Sequence, residues 1–389
     1  MEAATHARLI NQIHDYAANK TTCLADKEYL NPVERYTDPG WLDDEIRHIF
    51  RRAPLLLAHS SELAKPGDFK TVEVTGVHVL LTRDMTGRVN AFLNVCRHRG
   101  TKLVWQECGE RKRTFACPYH GWGYAADGRL INLPNPEGFP SVDPDKNGLV
   151  RLHASERAGF VFVQITPGAA PIDVDEYLGE IGRDFTRFGI GEYKAYSPSS
   201  ELRPYNWKLA MDLFQENYHT RMTHTDTIWQ LFLDNTAVFE RFAPHIRSIV
   251  PKKSILDLRG TDPADWNLRA HATLLYTVFP NTMVAVLVDH AAIFQVFPHD
   301  TAHARVRTTV LVPKIPTSEK AKAAWNKSIE LVGAVTAEDS ARGIAMQAGL
   351  ESGANRHLTF GRFEQGLGWF HEEIANAVNS RRLVAAAAE

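Results

Sequence analysis

The chain has 389 residues, 44% of them apolar, and a formal net charge of -2. That length exceeds one ordinary core and suits two, while the near-neutral charge offers no broad basic field for phosphate and argues against a nucleic-acid partner. The most apolar stretch, 274–288, is broken by Thr277, Pro280, Asn281 and Thr282 and is too short to span a bilayer; residues 1–19 lack the apolar centre of a signal peptide, which reads as cytoplasmic.

In chain order, residues 1–40 read as an N-terminal helical segment. Trp41, Leu42, Ile46, Ile49 and Phe50 then fall on one face of a short helix introduced by Asp38-Pro39-Gly40. From Phe69 the runs 71–74, 77–82 and 89–95 are rich in β-branched residues and separated by turn residues, so they predict a meander of antiparallel strands. Further short runs at 114–117 and 160–165 extend a β-rich domain over 41–165. Pro167, Gly168 and Pro171 mark a linker, and a second domain follows over 166–389. There 207–218 reads as helix, 272–279 and 283–288 as strands around Pro280-Asn281, 305–312 as a strand, and 319–332, 337–350 and 363–378 as helices. Strands followed by helices predict an α+β class, with a helix packed over an antiparallel sheet. The low-complexity tail 384–388 is expected to fray.

Four cysteines are too few for a disulfide scaffold in a chain this long, and two of them stand in unusual company. Cys96-Arg97-His98-Arg99-Gly100 and Cys117-Pro118-Tyr119-His120-Gly121-Trp122 each place a thiol and an imidazole close together. Extended chain sends Cys96 and His98 to one side, and Pro118 and Gly121 supply a turn. Such loops could hold a structural zinc, which accepts two cysteines and two histidines. Zinc modules, however, usually pair like with like at each knuckle, whereas one of each per loop suits a cluster whose two irons differ. Cys23 and Cys108 read as plain thiols, and Arg111-Lys112-Arg113 as a solvated face or a docking patch for an acidic electron donor.

Further on, Glu216, His219 and His224 supply the residue types of a mononuclear iron site, in which two histidines and one carboxylate leave positions open for oxygen and substrate. His219 and His224 are five apart, so an unbroken helix would separate them and the helix should end or unwind near 220–223. No glycine-rich dinucleotide fingerprint follows a strand; Gly189-Ile190-Gly191 lacks the third glycine, so electrons would come from another protein.

The two loops resemble the Rieske signature, including the Arg-Gly after His98 and Tyr119-His120-Gly121-Trp122, and residues 206–224 resemble the ligand helix of Rieske non-haem iron oxygenase catalytic (alpha) subunits, the aromatic-ring-hydroxylating family. The resemblance covers nearly the whole chain beyond about residue 35. It implies an all-β Rieske domain and a helix-grip catalytic domain. It implies a Rieske 2Fe-2S cluster with Cys96 and Cys117 on one iron and His98 and His120 on the other. It also implies a mononuclear Fe(II) on His219, His224 and Asp339, and Glu216 as an electron bridge between His219 and His120 of a neighbouring subunit. Asp339 has a competing reading, since Thr336-Ala337-Glu338-Asp339 forms a helix capping box. The family's helix commonly carries an acid and Asn where this chain has Asp212 and Leu213, and Met211, Leu213, Phe214 and Met222 are candidate pocket walls. The implied partners are a reductase fed by NAD(P)H, with or without a ferredoxin, dioxygen, and a small organic substrate. The implied assembly is a trimer, of this chain alone or with a beta subunit. An aromatic compound is the expected substrate. The alternatives are a small charged metabolite such as a quaternary ammonium compound, or an electron-transfer protein without a catalytic iron.

Overall fold

The computed structural model describes residues 1–386, which fall into two compact units, one over Phe50–Tyr177 and one combining residues 1–49 with 178 onward. The division lies just past the expected linker, inside the helix Val174–Arg187, where Gly179 leaves helical geometry.

The first unit is all β. Its larger sheet is seven-stranded, ordered Leu55–His59, Phe160–Gln164, Arg151–Arg157, Val89–Leu93, Val77–Arg83, Phe69–Val74 and Cys108–Gly109, and the expected meander forms its centre. A smaller sheet joins Thr114–Ala116, Gly123–Ala125 and Leu130–Asn132. Phe69, Leu80, Phe92, Phe115 and Tyr124 share one core with Cys96 and Cys117, so both thiols are rooted in the packed interior while the rest of their loops runs outward.

The second unit is built on a seven-stranded antiparallel sheet, ordered Lys194–Arg203, Ala304–Val312, Ala291–Pro298, Thr282–Val286, Ala272–Val278, His245–Pro251 and Val238–Phe242. This is the expected α+β class. Side chains alternate across the pleat, so Val250, Thr273, Leu275, Ala285, Ala292 and Phe294 lie on one face of neighbouring strands. Above it runs one continuous helix, Glu319–Glu351, where two helices were expected. Asp339 lies well inside it, not at a start, and Thr336 Oγ1 donates back to the carbonyls of Val332 and Gly333. The capping box is therefore not formed. The last helix, Gln365–Ala386, begins two residues later than expected, and residues 387 and 388 of the tail lie outside the described part.

The helix Trp207–Asp212 is buried at every residue, and its position is over-determined. Asn206 caps it by accepting from the Lys208 N–H (2.9 Å) and donates to the carbonyls of Tyr36 and Thr301, while its own N–H reaches Gln347 of the long helix. Lys208 Nζ lies 2.8 Å from buried Glu45, which also accepts from Trp207 Nε1. Removing either charge would strand the other, at about 3–5 kcal/mol.

Candidate metal centres

In the first unit the two Cys/His loops have the same backbone plan. The Cys96 N–H donates to the Thr101 carbonyl (2.9 Å) and the Gly100 N–H returns to the Cys96 carbonyl (3.0 Å); the Cys117 N–H donates to Trp122 (2.8 Å) and the Gly121 N–H returns to Cys117 (3.0 Å). Each turn closes on a glycine with positive φ, +77° at Gly100 and +72° at Gly121. The histidine sits two residues after the cysteine in one loop and three in the other, yet the rings meet with centroids 4.5 Å apart. His98 also stacks on Trp122 at 5.0 Å, nearly parallel.

The donor set is graded from inside to outside. Cys96 and Cys117 are buried, His98 is partly exposed and His120 exposed. Burial raises the Cys96 thiol pKa, while the Tyr124 hydroxyl, 3.4 Å from its sulfur, works the other way. That hydroxyl already accepts the Arg97 N–H, so its own hydrogen is free to point at sulfur. Burial and the neighbouring His120 and Arg99 lower the His98 pKa, which keeps the imidazole in its neutral, ligating form. His98 Nδ1 is buried without a hydrogen-bond partner among the described residues.

In the second unit the helix stops at Asp212, earlier than expected, and a new turn, Thr220–Thr223, occupies the segment expected to unwind. Past that end the Glu216 carboxylate accepts the N–H groups of Tyr218 and His219, which a continuing helix would have bonded to Phe214 and Gln215. The turn between His219 and His224 then brings both rings to one place. His219 Nε2 and His224 Nε2 are 3.2 Å apart, and Asp339 Oδ1 lies 3.5 Å from the first and 3.1 Å from the second. Adjacent ligands of a six-coordinate metal, each about 2.1 Å from it, stand about 3 Å apart. Asp339 Oδ1 is buried and has no aligned hydrogen-bond donor among the described residues.

Both rings are oriented from behind. His219 Nδ1 bonds to Glu216 Oε1, and His224 Nδ1 lies 2.7 Å from Glu338 Oε2, which also accepts from Thr227 Oγ1. A carboxylate on each Nδ1–H leaves each Nε2 lone pair facing inward. Burial opposes charge on His219, but Asp339 and Glu216 prevail and lift its pKa to about 10; His224 is raised too, with Asp339 and Glu338 overcoming burial. The same acids that stabilise a proton here would stabilise a cation.

Residues 185–380, half of the chain, match the family model described as the ring hydroxylating alpha subunit (catalytic domain). The chain belongs to that family. Residues 53–143 match the Rieske [2Fe-2S] domain, so this ring-hydroxylating alpha subunit combines the domain for a Rieske cluster with the catalytic domain for a mononuclear iron. The residues present fit both groups: soft thiolates and neutral imidazoles in one unit, two Nε2 atoms and a buried carboxylate oxygen facing them in the other. The chain is 33% identical to the carnitine monooxygenase oxygenase subunit of Escherichia coli K12, over 54% of this chain and 56% of that protein. It is 34% identical to the chlorobenzene dioxygenase alpha subunit of Cupriavidus sp. PS12, over 48% and 42%. The chain thus spans about half the length of the curated relatives it matches. A crystal structure of a quaternary ammonium Rieske monooxygenase superposes with a TM-score of 0.79 over 90% of this chain and 96% of that one, at 24% identity, and so supports the fold.

A cavity of about 300 Å³ adjoins the three inward-facing donors of this alpha subunit, between the sheet face and the long helix. Its walls are mostly apolar, among them Phe214, Phe232, Leu275, Leu287, Phe294 and Val332, with Phe214 and Phe294 rings 4.8 Å apart. Of the expected walls, Leu213 and Phe214 line it, whereas Met211 is sealed in the core and Met222 is 77% exposed. Glu338 as the partner of His224 escaped the sequence reading, although it adjoins Asp339. So did a buried cluster in which the Tyr36 hydroxyl meets Asp212 Oδ2 (2.7 Å) and His371 Nε2 (3.0 Å), and His371 Nε2 meets Asp212 Oδ1 (2.8 Å). These three residues are 335 positions apart end to end, and no spacing rule would join them. No helix among the described residues is long and apolar enough to cross a membrane.

Proposed function

We propose that this chain is the oxygenase component of a Rieske system. A separate reductase, directly or through a ferredoxin, supplies electrons from NAD(P)H, and an organic substrate, foremost an aromatic one met in catabolism, is hydroxylated in the cavity beside His219, His224 and Asp339. The observation that carries this reading is the convergence of two Nε2 atoms and one buried carboxylate oxygen within 3.5 Å of one another, open on one side to an apolar cavity. When bound, the cluster supplies electrons singly and the mononuclear iron activates dioxygen.

The chain's own residues set the geometry. Cys96, Cys117, His98 and His120 hold the cluster, with the imidazoles at the surface where a donor can approach. Glu216 and Glu338 fix the tautomers of His219 and His224. Glu216 also has lone pairs left to accept from His120 of a partner subunit, which makes it the bridge in a head-to-tail homotrimer. The apolar walls keep water from the reacting centre. A reducing compartment such as the cytoplasm suits the four unpaired thiols.

Hydroxylation or demethylation of a quaternary ammonium metabolite is the second reading, favoured by the similarity to the carnitine monooxygenase subunit. Metal analysis tests the core of the proposal. About three irons and two labile sulfides per chain support it. Two irons and two sulfides would instead make the chain an electron carrier. Oxygen uptake with a surrogate reductase, matched to hydroxylated product across aromatic and trimethylammonium compounds, decides between the substrate readings, and the mass in solution tests the trimer.

A further inference from the structure

The cavity beside the three donors is lined by one charged residue that none of the roles above uses. Glu216, His219, His224 and Asp339 belong to the candidate iron site, and the remaining ionisable lining residue among the described residues is Lys252. It follows the strand His245–Pro251, and its N–H donates to the His271 carbonyl (2.8 Å), so it continues the register in which Val250 faces Thr273. Residues 250, 252 and 273 therefore share the face that lines the cavity. An isolated bridge pairs Lys252 with Phe232, another wall residue.

The Lys252 ammonium is under-partnered. It has three N–H donors, and its hydrogen bond among the described residues is a 3.3 Å contact to the Ala270 carbonyl. No carboxylate among the described residues lies within ion-pair distance; Asp289, whose charge it feels, is instead 2.7 Å from His290. Partial burial correspondingly lowers its pKa. Apart from Thr273, the other uncharged polar lining groups are already satisfied: Asn217 bonds to Thr220 and Thr236, and Thr336 to its own helix. A half-buried cation with free donors in an apolar wall lacks a counter-ion that a substrate could supply.

We propose that Lys252 is the anion anchor of this cavity, with the Thr273 hydroxyl beside it as a second donor, and that the substrate is a carboxylate with an apolar body. The carboxylate sits on Nζ, and the body lies along the contacting rings of Phe214 and Phe294 towards His219, His224 and Asp339. The inference rests on the oxygenase reading and narrows its substrate. A cationic headgroup at this corner would meet like charge, and the aromatic walls Phe214, Phe232 and Phe294 lack the more electron-rich Trp or Tyr that best cages an ammonium.

The test is calorimetric binding to the holoenzyme, so that it does not depend on turnover. The probes are 3-phenylpropanoate and γ-butyrobetaine, each set against its own neutral-ended amide. The acid should bind about 10- to 100-fold tighter than the amide in at least one pair, the range for one charge-assisted bond. Lys252→Met, which keeps the stem, should erase that preference; Lys252→Arg should retain most of it, and Lys252→Glu should reverse it. Thermal unfolding of the Met variant should match the parent, since a lysine that merely pinned the Ala270 carbonyl would show there instead. An acid-over-amide preference that survives Lys252→Met overturns the proposal, as does equal binding of acid and amide in both pairs or no binding by either acid. Iron and sulfide are measured on the same samples, so loss of the oxygenase reading would show as missing mononuclear iron, independently of the binding preference.

Discussion

The two candidate metal centres are built by opposite means. Around the cluster loops the backbone does the work: each loop is a six-residue stretch closed by the same two hydrogen bonds, and all four donors come from residues 96–120. Around the mononuclear site side chains do it. His224 and Asp339 are 115 positions apart, the chain between them makes most of the sheet, and each imidazole is aimed by a carboxylate. A local centre is robust to distant change but exacting about its turns; an assembled centre tolerates backbone variation but depends on remote charge.

The largest effects should come from removing donors, and they should not cross between units. Cys96→Ser is expected to abolish the visible absorption of the cluster and leave about one iron per chain, because a hydroxyl cannot replace a thiolate on that iron. Asp339→Asn is expected to leave the cluster spectrum intact and remove the mononuclear iron and all turnover, since two neutral imidazoles without a carboxylate hold a divalent ion weakly. Loss of both metals in either variant, seen by iron and sulfide assay, would break the contrast.

Charges one bond behind the donors come next. Glu216→Gln should retain both metals and cluster reduction while product formation falls about 10- to 100-fold, because the charge-assisted bond to His219 and the proposed link to a partner's His120 would be weakened. Rapid mixing should show a prereduced cluster that fails to reoxidise when substrate and oxygen are added. Glu338→Gln should act on affinity instead, lowering mononuclear iron binding about tenfold and sparing reoxidation once iron is supplied. Identical phenotypes would mean that both acids merely orient rings.

The same contrast explains what could be read from the sequence. The cluster loops were legible because their information is local, and the strands between 69 and 95 because β-branched runs alternate with turns. Lys194–Arg203 was not, being an exposed strand with Ser197, Pro198, Ser199 and Ser200 that pairs only along one side with Ala304–Val312. Helix breaks were misplaced for a physical reason as well. Past Asp212 the Glu216 carboxylate captures two N–H groups that a continuing helix would need, and Thr336–Asp339 mimics a helix start inside a continuous helix. Glu45, Tyr36 and His371, which fix the buried face of the ligand helix, carry no signal short of the fold itself.

A smaller effect follows from concentrating acids in the assembled centre. Glu364 is partly buried near Glu216, and burial together with that charge outweighs its bond from the Gly361 N–H, lifting its pKa from 4.5 to about 7. The folded chain therefore holds a proton that the unfolded chain releases, and stability from this group falls as pH rises from about 4.5 through about 7, then levels off. Glu364→Gln should leave melting unchanged near pH 4.5 and raise it by a few degrees near pH 8. A shift of equal size at both pH values would show that the carboxyl was already ionised in the folded protein.

The smallest effect tests whether the two cluster loops are equivalent in their turns. At Gly100 an added Cβ would meet nothing within 4 Å, and at Gly121 it would meet Pro134 Cγ at 3.4 Å, an ordinary contact. Space therefore does not distinguish the two sites, and only the positive φ, +77° against +72°, should matter. Forcing an L-residue into that region costs about 1–2 kcal/mol, partly offset because alanine has less freedom than glycine to lose on folding. Gly100→Ala and Gly121→Ala should each bind the cluster and each lower stability by about 1 kcal/mol, read from denaturant midpoints at constant slope. Equal losses would show that the positive φ alone sets the cost at both turns. If one variant lost its cluster while the other kept it, that loop alone would govern assembly, and the one-residue difference in histidine spacing would be the place to look for the cause.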